Sequence, residues 1–286
     1  MAKIIGLLFF SFPILLWSNT LNNDSISSLI PKDFTGQIVI KQHNKFVFRK
    51  NFGPKERVFK TPINDSTVFN IGQVSQTMIA YFFENLFANG QIQPNDKVKK
   101  YITTFPYENI QIQHLLKHQS GLPHLYIKLY HRKVYNNWNL KLSDRGIRFD
   151  NEDILNILTK EKPALKFTPG DSTAYSDVNY LILTSLLEEA THISFPEYAT
   201  SIFEQKFMFK PILSASNDTV FNKAYGYKIF PDSRFQLCEN LKTRGLPFDD
   251  GTYGNQHIYL SASNLANWGQ FIFNKIDVTA LKKSPN

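Results

Sequence analysis

Two glutamines one helical turn apart carry most of the chemical information in this 286-residue chain. They lie in Phe-Asn-Ile-Gly-Gln-Val-Ser-Gln-Thr-Met-Ile-Ala, residues 69–80. Side chains at i and i+3 share one helix face, so Gln73 and Gln76 address the same point. A Ser and a Lys at that spacing would form an activated nucleophile. A neutral hydroxyl attacks poorly and needs a neighbour to take its proton. A carboxamide has neither property and offers hydrogen bonds only. No Ser in the chain is followed three residues later by Lys. Ser75 is the nearest hydroxyl, but it lies two positions past Gln73 on another side of the helix, and its own i+3 neighbour is Met78.

The other reactive types are weaker candidates. His114 and His118 have the i, i+4 spacing that can hold zinc on a helix. The residues between them are Leu-Leu-Lys, no third ligand accompanies them, and both are read as structural. Ser120 lies in Gln-Ser-Gly, a fragment of a Gly-x-Ser-x-Gly nucleophile elbow with His118 at the first Gly. Cys238 is the only cysteine, which excludes an intrachain disulfide and argues against a cysteine metal site. The net charge of +8 is spread without a run of five like charges, which argues against a nucleic-acid partner. No metal or cofactor is expected.

These residues need elements to hold them. At 42% hydrophobic and 20% charged, the composition is that of a globular chain. Val74, Met78, Phe82 and Leu86, with Ile79, Phe83 and Phe87 beside them, predict a helix over 73–89 buried on most of its circumference. Asn89-Gly90 is its stop. Residues 36–50 alternate and break at His43-Asn44-Lys45, which predicts a β-hairpin with Asn44 in the turn. A mostly helical stretch is expected from about 110 to 205, with Val178–Ala190 its most apolar helix. At the N-terminus, Met-Ala-Lys precedes an apolar stretch from Ile4 to Trp17 interrupted by Pro13. It is shorter than the ~20 apolar residues of a bilayer span. Residues 1–20 therefore read as a secretory signal peptide, with an uncleaved anchor as the alternative. Residues 21–33 read as a loose polar leader and 34–286 as one domain. No membrane span is expected beyond the signal segment, and the location is exported, periplasmic or extracellular.

The frame at 69–77 resembles F-x-I-G-S-x-x-K-T of the serine β-lactamases and penicillin-binding proteins. Gln73 and Gln76 stand where that family carries its nucleophilic Ser and activating Lys. Four later segments resemble family motifs in the same order: Gly90–Val98, His114–Pro123, Phe167–Tyr180 and Leu260–Trp268. On these five matches the chain is identified as a member of the β-lactamase-related serine hydrolases, of the class C and esterase-like branch. The resemblance implies an α+β fold, a helical subdomain plus an antiparallel sheet. It implies that Tyr175 keeps the phenol of the family's Tyr-x-Asn loop. Asp177 then replaces the amide that holds substrate carbonyls, trading a donor for a charge that repels an anionic substrate. The family's third element, a Lys/His-x-Gly strand, lies beyond the segment resembled by Leu260–Trp268, and no such motif follows Trp268 here. The C-terminal strands of the sheet are therefore expected to be missing and the 36–50 hairpin to lack its neighbours.

Together these readings lead to an expected pseudoenzyme of the serine hydrolase family. Two alternatives stay open. One is a binding or regulatory module in which Gln73, Gln76, Tyr175 and Asp177 line a residual cleft for a peptide, a cell-wall fragment or a completing protein partner. The other is a hydrolase with a non-standard nucleophile, such as Tyr175 or Ser120.

Overall fold

Two helices that share few surfaces with water organise the chain. The computed structural model describes residues 23–124, 142–143, 146–213, 220–232, 234–237 and 248–275. The predicted signal segment, Cys238 and the last residues lie outside them. The first organising helix, α2, spans Ser75–Ala88 and continues a 3-10 turn at Gly72–Val74. It contains no Gly or Pro, and it buries Met78, Ile79, Phe82, Phe83 and Leu86 completely. Its end is the predicted one: Asn89 closes it, Gly90 turns left-handed at φ 69°, and the Gly90 and Gln91 N–H groups return to Phe87 and Leu86 carbonyls. One stripe along the 3-10 turn and α2 stays out of the core: Gln73, Gln76, Thr77, Ala80 and Glu84.

α1 is a short helix at Asn23–Ser28 with Ile26 buried. It stands where a loose leader was expected, because Ile26 gives that polar stretch one residue to pack. α3 covers Ile112–Leu116, α4 Asn151–Glu161, α5 Val178–Thr191, α6 Phe195–Phe207 and α7 Ala262–Lys275. The ten residues Val178–Leu187 of α5 are all buried, so it is the central helix its composition predicts. The polar ones among them are satisfied internally. Asn179 joins His118 and Ser120, and Thr184 donates to carbonyls of Leu181 and Tyr253. An aromatic cluster of Tyr81, Phe203, Phe207, Trp268 and Phe271 ties α2, α6 and α7 together. The Trp268 indole N–H donates to the Thr77 hydroxyl at 2.9 Å.

The described strands form small separate sheets. β1 (Gly36–Gln42) and β2 (Lys45–Phe52) make the predicted antiparallel hairpin. Its two-residue turn has φ 47° at His43 and 65° at Asn44, a pair of left-handed residues that matches strand twist. β3 (Phe69–Asn70) and β6 (Ile212–Leu213) flank β10 (Ile258–Leu260) antiparallel. β4 (Leu142–Ser143) and β5 (Gly146–Phe149) interrupt the stretch expected to be helical, and β5 pairs parallel with β9 (Phe248–Asp250). β7 (Tyr227–Ile229) and β8 (Phe235–Leu237) form a second two-stranded hairpin. Among the described residues β1–β2 has no further strand, and α7 packs on β1. Lys41 donates to Asn267 at 2.7 Å, and the Ala262 N–H donates to Gln37.

Candidate active site

The two glutamines share a face as their spacing predicts, and both reach Tyr175. The Gln73 amide donates to the Tyr175 hydroxyl at 2.9 Å and the Gln76 amide at 3.3 Å. Tyr175 is brought there by two segments zipped together. The Lys166 N–H donates to Gly121 O, the Gly170 N–H to Gln119 O, and the Ala174 N–H to His118 O. Gly121 is required for this approach: φ is 74°, and a Cβ would lie 2.4 Å from the Phe167 carbonyl oxygen.

His118 forms the next layer. Its ring lies 4.8 Å from that of Tyr175 and 5.3 Å from that of Tyr180. Nδ1 receives the Asn179 amide at 2.9 Å and the Ser176 N–H at 3.5 Å. A nitrogen that accepts carries no proton, so Nε2 carries it and faces the Gln76 carbonyl oxygen at 3.4 Å. Gln76 then has its NH2 free for Tyr175 and for Asn255 Oδ1, 2.6 Å away. Asn255 in turn donates to the Asp177 main-chain carbonyl. Asn255 comes close because Gly254 lies on the first turn of α5, where a Cβ would sit 2.7 Å from Tyr180 O.

Burial sets the charges here. It pushes the His118 imidazole below its ordinary value, in keeping with an Nδ1 that accepts N–H groups from Asn179 and Ser176. Burial also pushes the Tyr175 phenol up, against the two amide hydrogen bonds. Both groups are therefore neutral at neutral pH.

Asp177 does something other than the resemblance implies. It is 7% exposed, and its carboxylate accepts the Val178 N–H at 2.9 Å, capping α5. The same oxygen is 3.1 Å from His124 Nδ1. Burial raises its pKa more than His124 and the cap lower it. Asp177 thus turns to its own helix and to His124, and it is absent from the wall of the cleft. That cleft, about 460 Å³, runs along the polar stripe of α2. Gln73, Gln76 and His118 stand at one end, and Glu84 and Lys275, ion-paired at 3.2 Å, at the other.

The remaining hydroxyls are committed. Ser75 is buried and donates to Gly254 O at 3.1 Å. Ser120 is buried and donates to Asn179 at 2.6 Å, while its oxygen accepts the Leu122 N–H. Neither has a base beside it. α3 ends at Leu116 and His118 is left-handed at φ 53°, so His114 and His118 do not share a helical face. Among the described residues no group of three or more His, Cys, Asp or Glu is placed to hold a metal ion. Sequence reasoning missed His124 and Asn255 as members of this cluster. Both are remote in sequence from the glutamines, and no local pattern marks them.

Residues 35–283 match the Beta-lactamase family. The chain belongs to that family. It is 25% identical over 246 residues to penicillin-binding protein 4* of Bacillus subtilis strain 168, covering 84% of this chain and 52% of that protein. It therefore spans about half the length of that relative. The octameric penicillin-binding protein homologue from Pyrococcus abyssi superposes with a TM-score of 0.66 at 20% identity, over 84% of this chain and 52% of the other. A class C beta lactamase superposes with a TM-score of 0.64 at 17% identity, over 90% and 65%. The fold is thus the mixed helix-and-sheet fold of β-lactamases and transpeptidases. Among the described residues no helix is long and apolar enough to cross a membrane.

Proposed function

We propose that this β-lactamase family chain is an exported pseudoenzyme. The observation that carries the reading is the pair of carboxamides donating to the Tyr175 hydroxyl. Where the family resemblance implies a hydroxyl and an amine, two amides are tied into a neutral network with His118 and Asn255. An amide cannot be acylated by an ester or lactam at useful rates, and it cannot take a proton near neutral pH. Incubation of the purified protein with a β-lactam or a fluorophosphonate, followed by intact-mass spectrometry, tests this. The expected result is an unchanged mass. An adduct mapped to Ser75, Ser120 or Tyr175 would overturn it and favour a non-standard nucleophile.

A second reading rests on the cleft itself. A 460 Å³ trough lined by Gln73, Gln76, His118 and Tyr180, with a lysine at its far end, offers amide donors and acceptors suited to a peptide backbone. Relatives are named for binding penicillin, itself an amide-bearing molecule, and a cell-wall peptide is the ligand class proposed here. On this reading the chain binds without turning over, and a stem-peptide fragment at 100 times its Kd stabilises it by about 2.7 kcal/mol. A flat thermal-shift titration that Gln76→Ala leaves unaltered removes the binding reading and leaves the pseudoenzyme reading intact.

A further inference from the structure

A second concavity, of about 620 Å³, shares no lining residue with the cleft. One wall is the loop 54–62, contributing Pro54, Arg57 and Lys60, and another is the β7–β8 hairpin with Tyr227, Ile229 and Phe235. The loop is clipped shut at its base. Pro54 bridges Pro62, and the Lys55 N–H donates to Thr61 O at 2.8 Å. Inside, the nearly buried Glu56 carboxylate accepts the Phe59 N–H at 2.7 Å and the Thr61 N–H at 2.8 Å.

The loop is thus ordered by polar bonds, and its apolar tip takes no part in the packing. Val58 is 66% exposed and Phe59 85%. Basic residues flank the tip on both sides. Lys55 donates to Asn222. Among the described residues, Arg57 and Lys60 have no carboxylate partner. The Arg57 guanidinium lies 5.9 Å from the Tyr227 ring centre and 5.7 Å from that of Phe235, which couples the loop to β7–β8. There Ile229 and Phe235 are also exposed, and Phe221, next to the Asn222 that holds Lys55, is 88% exposed.

We propose that this end of the molecule docks on a lipid bilayer that carries anionic phospholipid. The Val58–Phe59 tip enters the interfacial layer, and Lys55, Arg57 and Lys60 engage the headgroups. The pairing of an apolar tip with a basic collar is what an anionic interface rewards, because apolar burial and charge attraction add. A soluble anion would satisfy Arg57 and Lys60 and leave Phe59 in water. The rigid base matters for the same reason. A loop already held by Glu56 loses little freedom on insertion.

The test uses the full chain with an environment-sensitive fluorophore at position 59, through Phe59→Cys in a Cys238→Ser background. It is titrated with vesicles of mixed phosphatidylglycerol and phosphatidylcholine, and with vesicles of phosphatidylcholine alone. On the anionic vesicles the probe should shift to the blue and be quenched by nitroxide-labelled acyl chains. The same probe at the exposed Met208 should do neither. Without a probe, Phe59→Ser should lower partitioning about tenfold, and the pair Arg57→Gln, Lys60→Gln should lower it only on anionic vesicles. The thermal midpoint should hold in Phe59→Ser, whose side chain is solvent-facing. A probe at 59 that stays in water on anionic vesicles overturns the proposal, even if the chain binds them through its apolar Ile4–Trp17 stretch. Equal response to soluble polyphosphate overturns it in favour of an anion site. A blue shift that grows with protein concentration in the absence of vesicles overturns it in favour of a second copy of this chain.

Discussion

The helix α5 and the hairpin β1–β2 are held in opposite ways. α5 is surrounded: ten consecutive residues are buried, and its polar groups find partners inside the protein. In the hairpin only Phe48 is buried. Its two strands pair with each other and with no other strand among the described residues. A two-stranded sheet is marginal in water by itself, so the contacts from α7 through Asn267 and Ala262 carry much of its attachment. The contrast teaches that family membership and uniform stability are separate matters. The same chain holds a core built for global cooperativity and an element that can open alone.

Hydrogen exchange should show the largest difference. Amides of α5 and the middle of α2 need global unfolding to exchange, whereas those of β1–β2 need only local opening. Protection in the hairpin is expected to be at least about a hundredfold lower in the isolated chain. Equal protection would break the comparison and require a sheet completed in some other way. Substitutions sharpen it next. Leu183→Ala or Leu186→Ala, each fully buried, should cost about 2–5 kcal/mol in denaturant unfolding. Val39→Ala, on the half-buried face of β1, should cost below about 1 kcal/mol. A larger loss at Val39 than at Leu183 would reverse the ranking.

Both elements were legible in the sequence, for different reasons. The period of seven apolar positions over 73–89 and the mostly apolar stretch at 178–187 announce buried helices whatever their partners. The hairpin announces itself by alternation and by His43-Asn44, which tolerate the left-handed turn. The short strands at 142–149 were not legible. Two to four residues are too few for a period, and besides its local partner β4, β5 pairs with β9 about a hundred positions away. In the site, Gln73, Gln76 and Tyr175 were legible through one family frame. The role of Asp177 was not read, although an Asp directly before an apolar helical run is itself a capping signal.

A smaller effect is expected where the core meets the cleft. Gln76 bonds Tyr175 and Asn255 and faces His118. Gln76→Ala strands parts of that network and should cost about 1–3 kcal/mol. Gln73 is exposed and makes one bond in it, so Gln73→Ala should cost under about 1 kcal/mol. Denaturation midpoints of the two variants measure this. Equal costs would mean that the network behind Gln76 holds nothing together. Exchange rates in β1–β2 should be the same in both variants, which separates a cleft effect from a hairpin effect.

The smallest effect concerns Asp177 and has a sign. Burial raises its folded pKa above the ordinary 3.8, despite His124 and the Val178 N–H. The folded state then holds the proton more tightly than the unfolded chain does. Its contribution is most favourable below about pH 3.8 and is lost as pH rises through the raised folded value. At neutral pH the carboxylate is a cost that the α5 cap partly offsets. Asp177→Asn keeps an oxygen for the Val178 N–H and removes the ionisation. The variant should gain on the parent as pH rises from acid toward neutral, ending more stable by on the order of 1 kcal/mol or less. His118, whose pKa burial lowers, destabilises both proteins alike below about pH 6.5 and cancels in the difference. The opposite slope, with the parent gaining on Asp177→Asn as pH rises, would mean that the partners of the Asp177 carboxylate outweigh its burial. This rim of the core would then be held by the carboxylate's contacts with the Val178 N–H and His124 and not by burial.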